Sequence, residues 1–500
     1  MNEQDAALSD PSTTTAHQLE GDSGREDDPD SKGGLRRTLS TPSIVFMVLA
    51  AAAPLTAASG VLPLAILFSE NSSAPVYFLV ATVLLCLFAV GYTALSRDVA
   101  DAGAFYAYIR AGLGRIPGNA AAMLALGAYT LTVVALAVYA GPFASSLVAT
   151  FTPWSDSPWW LWSGACWALL ALFGYRNVDL SSRVLSVLLI LEMAILVALG
   201  VGVFATGGAA SFPAESLNPA QAFGHGAPAS GIMWAVLCFV GFEATAVFRG
   251  EARNPERTIP RATYTAALLI GVLYVFVSVV IVMGAGSADV GGLIAADPAS
   301  VLFAIADKAI GPWFSTVMNV LLLSSIFACA LSFHNVVTRY QLTMGSSGLL
   351  PEFVGRVHGA HRVPSNASLV LSVLTIVAIV LAAVLNLDPV VQVFGPLIGV
   401  LGFAVLTMMA FASISAVAYF SRSTEPRPGI LVRLVAPVLA TFGLLAVLIM
   451  SLANIEVITG SEIGTVLVIV LLIALPLTGL VISVVGRDRG RVSTQAARTS

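Results

Sequence analysis

Two glutamates stand where few charges survive. Glu243 follows Gly-Phe in the apolar stretch IMWAVLCFVGFEATAVF, and Glu192 sits inside VLLILEMAILV. A charged side chain at the centre of a bilayer costs about 2.5–3.5 kcal/mol on insertion scales, so an acid kept in such a run is expected either to work or to be tied to a partner. Either glutamate can carry a proton inward with a solute. The alternative for Glu243 is a structural carboxylate bonded to nearby backbone, and for Glu192 a protonated acid bonded to a neighbouring helix. Ser324 and Ser325 in LLLSSIFACAL offer hydroxyl oxygens of the kind a hard cation collects, though paired hydroxyls also serve simply to pack membrane helices. His334 stands alone and reads as a packing or interfacial residue. Cys86, Cys166, Cys238 and Cys329 all lie in apolar runs, without metal spacing or a disulfide framework, and read as small core hydrophobes. The sequence carries no nucleophile elbow, phosphate loop or His-Glu metal spacing, and no basic cluster suited to nucleic acid. No catalytic residue, metal or cofactor is therefore expected.

The elements that must position these residues follow from composition. Hydrophobic residues make up 57% of the 500 positions and charged residues 10%, with a mean hydropathy of +0.89. Soluble domains carry about a quarter charged residues. A chain this poor in charge belongs in a bilayer. Apolar runs long enough to cross as helices recur about twelve times, near 44–68, 76–96, 118–149, 158–174, 184–205, 229–248, 263–285, 311–338, 367–386, 390–420, 431–453 and 463–485. They lack the alternation of β-barrel strands. Residues 1–40 and 487–500 read as polar cytoplasmic tails, the first of them disordered, with no cleavable signal peptide. If the amino terminus is inside, every inner loop receives arginine, while the outer loops receive Lys308 as their one basic residue beside several acids. Short-loop positive charge orients membrane proteins, so both termini are expected in the cytoplasm.

Two spans are prepared to break. The first, FMVLAAAAPLTAASGVLPLAILF, holds Pro54, Gly60 and Pro63 together with Thr56 and Ser59; the sixth sets Gly241 beside Glu243. Proline removes an amide donor and glycine loosens the backbone. Breaks five spans apart point to a transporter built from two inverted repeats, with its solute held where the helices are interrupted. Amides freed at the start of a second half-helix suit a carboxylate, and in the first span these are expected near Ser59 and Gly60. Aromatic residues that could line such a pocket are Trp234, Phe239, Phe242, Tyr129 and Phe394.

The segment FVGFEATAVFRGEARNPERTIPRA resembles the helix-six signature of the amino acid–polyamine–organocation superfamily: an apolar run into G-F-E, then E-x-x-N-P-x-x-x-I-P-R-A. It is carried here by Gly241, Phe242, Glu243, Glu251, Asn254, Pro255, Ile259, Pro260, Arg261 and Ala262. YTALSRDVADAGAFYAYIRAGLGR is similar to that family's loop after helix two, and VVTRYQLTMGSSGLLPEF to its helix-eight exit with G-x-L-P. Helix one departs from the family pattern: where many members read G-S-G-I-F, this chain has Ala58-Ser59-Gly60-Val61-Leu62.

The resemblance implies an all-α integral membrane protein with a five-plus-five inverted repeat of the leucine-transporter type and two further helices. The first repeat is expected over about 41–206, the second over about 226–422 and the extra helices over about 430–486, together a transporter domain of 41–486. It implies backbone carbonyls around Phe239, Val240 and Gly241 for an ammonium group, and a charged inner loop docked on the other two matching loops as a cytoplasmic gate. Substrate-binding residues are then Thr56, Ser59, Gly60, Phe239, Val240, Gly241 and Phe242. Glu243 and Glu192 are the proton-coupling candidates, and Ser324 and Ser325 a possible ion site of the sodium type, with proton coupling the better reading. The expected function is import of an amino acid across the cell membrane. Import of a polyamine or other amine, exchange, and a non-transporting ligand sensor are the alternatives; the short polar tails argue against the sensor.

Overall fold

The computed structural model describes residues 39–99, 104–175, 182–207, 212–287, 289–346, 348–355, 365–422, 429–459 and 462–496. The expected disordered tail lies almost wholly outside them. Apolar helices account for the membrane-facing bulk, because a backbone in hydrocarbon must satisfy its polar groups within its own segment. Among the described residues eleven helices are long and apolar enough to cross a bilayer. With the shorter apolar helix at Trp159–Gly174 they are numbered here in chain order: α1 Thr41–Ser69, α2 Ala74–Asp98, α3 Arg115–Phe151, α4 Trp159–Gly174, α5 Ser186–Gly207, α6 Pro228–Ala246, α7 Pro255–Ala285, α8 Pro312–Gly345, α9 Asn366–Val384, α10 Pro389–Arg422, α11 Leu431–Ala453 and α12 Gly464–Val484. The full helix containing α4 has 17 residues, the low end of what spans hydrocarbon. Helix α12 continues to Ala496, so the expected tail from residue 487 begins as helix.

Packing reveals the repeat. Helix α1 packs on α7 and α5, and α6 packs on α2 and α10. Likewise α5 packs on α7 as α10 does on α2, α3 on α10 as α8 on α5, and α4 on α8 as α9 on α3. Each pair becomes the other when five is added to or subtracted from every helix number. The pairs α2–α7, α3–α8 and α4–α9, which the operation maps onto themselves, are also packed. The operation inverts direction as well: the first part of α1 lies against the second part of α6, and the last part of α1 against the first part of α6. The segment between α7 and α8 forms two short helices, Val290–Ala296 and Val301–Ala309, bent at 120°. With arms of 7 and 9 residues it is too short and too folded to span. It covers one end of the bundle, with its first arm against the last part of α1.

Helices α11 and α12 stand outside the repeat, each packed on α10 rather than against the other. Helix α12 also lies along α3, where Gly479 permits close approach: a Cβ there would fall 2.5 Å from the Asn119 carbonyl oxygen. Asn119 Nδ2 donates to Ser483 Oγ at 2.8 Å at the same crossing.

Candidate functional site

The interruption of α1 comes from Pro54. Its ring brings no N–H and disfavours helical geometry in the residue before it. That residue, Ala53, takes φ 46° and ψ 71°, a left-handed conformation costing a non-glycine residue roughly 1–2 kcal/mol. The first half, α1a Thr41–Ala52, ends there. The chain then restarts at Pro54, passes through a wide π turn over Ala57–Val61 and continues as α1b Leu62–Ser69. A restarted helix exposes amides. Leu55 N–H donates to Glu192 Oε2 at 3.3 Å, across from α5. Ser325 Oγ on α8 donates to the same oxygen at 2.9 Å, and Thr56 Oγ1 donates to Ser325 Oγ at 2.9 Å. Glu192 is 4% exposed, so this chain of Thr56, Ser325 and Glu192 sits dry against the break. The Thr56 amide has no main-chain acceptor among the described bonds.

The α6 break is built differently but ends on the same device. Helix α6a, Pro228–Leu237, runs into a turn at 238–241, and a 3-10 helix, α6b Phe242–Glu251, follows. Gly241 has φ +111°, open to glycine and strained for any residue with a Cβ. A Cβ there would also meet Ala52 N at 3.2 Å, so the two breaks abut at this point. Gly241 N–H donates to Glu243 Oε2 at 2.8 Å. Tyr129 Oη on α3 donates to Glu243 Oε1 at 3.5 Å, and Tyr92 Oη on α2 to the Glu243 carbonyl at 2.8 Å. Each break thus has a buried carboxylate on a released amide.

Between the breaks lies a small cavity of about 50 Å³. Both breaks contribute to its lining, through Ala51–Ala53 and through Leu237–Cys238 with Val240. Thr56 and Thr132 supply its hydroxyls; Leu136, Phe333, Phe394, Ile398 and Leu401 make the rest apolar. Phe394 stacks on Tyr139 with ring centroids 4.1 Å apart and 19° between planes. Tyr139 Oη donates to Ser59 Oγ at 3.2 Å. A Cβ on Gly60 would come within 3.0 Å of both rings, so this glycine lets the stack close over α1. Towards the opposite end, Tyr129 packs edge-on to Tyr340, and Tyr340 to Tyr106. Aromatic side chains therefore stand at both ends of the space.

The expected site residues distribute unevenly. Thr56 and Val240 line the cavity, and Phe394 does so among the aromatics singled out. The freed amides of α1 lie at Leu55 and Thr56, not near Ser59 and Gly60, because the proline rather than the glycine interrupts the helix. Ser59 and Gly60 instead seat the Tyr139–Phe394 stack. The Phe239 and Gly241 carbonyls accept from Phe242 N and Ala244 N within the turn, whereas the Val240 carbonyl accepts no main-chain bond among those described. Phe239, Phe242 and Trp234 are buried in packing around the break. Ser325 joins Glu192, but Ser324 Oγ donates to its own helix at the Leu321 carbonyl, 2.7 Å away. His334 is a buried packing residue, its Nε2 3.1 Å from Ser368 Oγ on α9. The four cysteines are free. Cys238 and Cys329 line the cavity, a place their apolar neighbours in sequence did not reveal. Thr132, Leu136 and Phe333 were likewise unmarked, since α3 and α8 are apolar on every side at that depth. The charged loop after α6 docks on the helix Ala104–Leu113 through α6b and pairs with the chain before α1: Leu39 N donates to the Glu251 carbonyl at 2.9 Å and Arg253 N to the Leu39 carbonyl at 3.0 Å. The described start of the third matching loop folds back on α8, with Leu349 N donating to the Met344 carbonyl.

The amino acid permease family model matches residues 39–481. The low-affinity putrescine importer PlaP of Escherichia coli is 24% identical over 405 residues, 78% of this chain and 82% of that protein. The branched-chain amino acid permease BcaP of Lactococcus lactis is 27% identical over 219 residues, 42% of this chain and 44% of its own. The histidine permease of Saccharomyces cerevisiae is 32% identical over 165 residues, 30% of this chain and 27% of its own.

Proposed function

Because the chain belongs to the amino acid permease family, we propose that it is a secondary active transporter that imports an amino acid across the cell membrane, coupled to protons, by alternating access around the breaks of α1 and α6. The relatives are permeases, not enzymes, and the chain is a multi-pass membrane protein. The observation that carries the proposal is the cavity bounded by both breaks. The free Thr56 amide faces a carboxylate with the positive end of a helix, the Val240 carbonyl offers an acceptor to an ammonium, and the apolar remainder suits a small uncharged side chain.

Coupling is assigned to Glu192. Both hydroxyls of its cluster, Thr56 and Ser325, form a chain that ends on its carboxylate, a hydrogen-bonded route along which a proton can reach it. The same carboxylate holds the Leu55 amide at the break, so gaining a proton weakens its grip on α1 and links protonation to the position of that helix. Alternating access then opens the Tyr139–Phe394 stack on one side and the Tyr129–Tyr340–Tyr106 set on the other. Both termini are assigned to the cytoplasm on the arginine bias of the loops.

The second reading, an amine such as a diamine, draws on the two carboxylates beside the breaks and on the putrescine importer among the relatives. Uptake into proteoliposomes separates the readings. With an inward proton gradient, a labelled small apolar amino acid should accumulate and unlabelled diamines should not compete. Competition by diamines alone would transfer the assignment to amines, and uptake indifferent to the gradient would remove proton coupling. Uptake that requires preloaded vesicles would identify an exchanger.

A further inference from the structure

A second and larger space, about 590 Å³, lies away from the breaks, between the repeat and the two extra helices. This is within the range of about 300–1,000 Å³ common for small-molecule sites. It is walled by α3, α10, α11 and α12, with Leu124, Phe403, Leu448 and Ile473 typical of its surface. Its Thr407 hydroxyl is committed to the Phe403 carbonyl at 2.7 Å, which leaves the cleft apolar. The cleft exists because α11 and α12 both pack on α10 instead of on each other, while α12 is drawn to α3 by the Gly479 approach and the Asn119–Ser483 bond. Ile473 is 54% exposed and Leu452 40%, so the space opens towards the bilayer.

Length and charge together say what fits there. Along α12 the lining runs from Ile469 to Leu480, about 16 Å at 1.5 Å per residue, or roughly half of a 30 Å hydrocarbon core. The lining begins at Ile109 and Pro117, at the arginine end, and reaches past the middle of the membrane to Leu452 near the far end of α11. At the Leu480 end the lining includes Ile109 and Pro117, and beside them Arg110 and Arg115 are exposed. Neither is ion-paired with an acid among the described residues. Arg422 is at the same end, its guanidinium 3.0 Å from the Gly112 carbonyl. Unpaired arginines at the headgroup level attract anionic lipid.

We propose that this cleft is a lipid site, holding the acyl chains of an anionic phospholipid from the arginine-rich leaflet with its phosphate at Arg110 and Arg115. The extra helices are thereby joined to the repeat through a lipid as well as through their direct packing on α3 and α10. The test is native mass spectrometry of the full chain in detergent, with phosphatidylglycerol or phosphatidylcholine of identical chains added in turn. One phospholipid should be retained, phosphatidylglycerol several-fold over phosphatidylcholine. Ile473→Trp, which fills the cleft from a half-exposed position, should reduce retention of both. Arg110→Gln with Arg115→Gln should remove the preference while leaving retention of phosphatidylcholine. No retained lipid, retention unchanged by Ile473→Trp, or a lipid-free mass of two chains (the cleft as an interface between copies) would each overturn the proposal. A preference that survives loss of both arginines would overturn the assigned phosphate position.

Discussion

Glu192 and Glu243 each hold an amide that a helix break has released, yet they are placed to do different work. Glu192 reaches from α5 to α1 and ends a chain of hydroxyls, whereas Glu243 closes the turn in which it sits and is braced by Tyr129. Replacing Glu192 by Gln keeps an acceptor for Leu55 but removes the exchangeable proton. Proton-driven accumulation in proteoliposomes should fall several-fold while counterflow at equal pH persists. Loss of both activities together would make Glu192 structural. Glu243→Ala strands a buried N–H, at a cost of about 1–3 kcal/mol, and should lower the unfolding temperature of the purified protein more than Glu243→Gln does. Both acids were legible in the sequence because a carboxyl inside an apolar run is costly. Thr132 and Phe333 were not, because a residue facing a small cavity and one facing lipid or a neighbouring helix draw on the same apolar alphabet.

At the scale of elements, the two breaks obey opposite backbone rules, which gives predictions of opposite sign. Gly241→Ala places a Cβ in a left-handed residue and against Ala52 N at 3.2 Å, so it should destabilise by about 1–3 kcal/mol and reduce transport. Ala53→Gly relieves the left-handed alanine at φ 46° and should leave the unfolding temperature unchanged or raised. A drop comparable to that of Gly241→Ala would contradict the account of the α1 break. Sequence placed both interruptions in the right helices, since proline and glycine in mid-membrane are local signals. It set the released amides of α1 near Ser59 and Gly60, about a turn late, because choosing between Pro54 and Gly60 depends on what each packs against. Gly60 proves to be a matter of contact, leaving room for Tyr139 and Phe394.

Over the whole molecule, the exchange of packing partners under a shift of five helices makes the two repeats alternatives to each other at the breaks, which is the symmetry that alternating access uses. Span number and the arginine bias of the loops were readable from composition alone; the cleft beside α11 and α12 was not, because it follows from how α12 is drawn to α3. The central claim is that the transported solute occupies the space between the breaks, and the native cysteines test it. Cys238 and Cys329 line that space, while Cys86 and Cys166 lie outside its lining. Purified protein should be treated with a small methanethiosulfonate reagent, with and without the solute identified by uptake, and labelling at each cysteine followed by peptide mass. The account predicts that the solute slows labelling of Cys238 and Cys329 and leaves Cys86 and Cys166 unaffected. Equal rates with and without solute at Cys238 and Cys329 would contradict it.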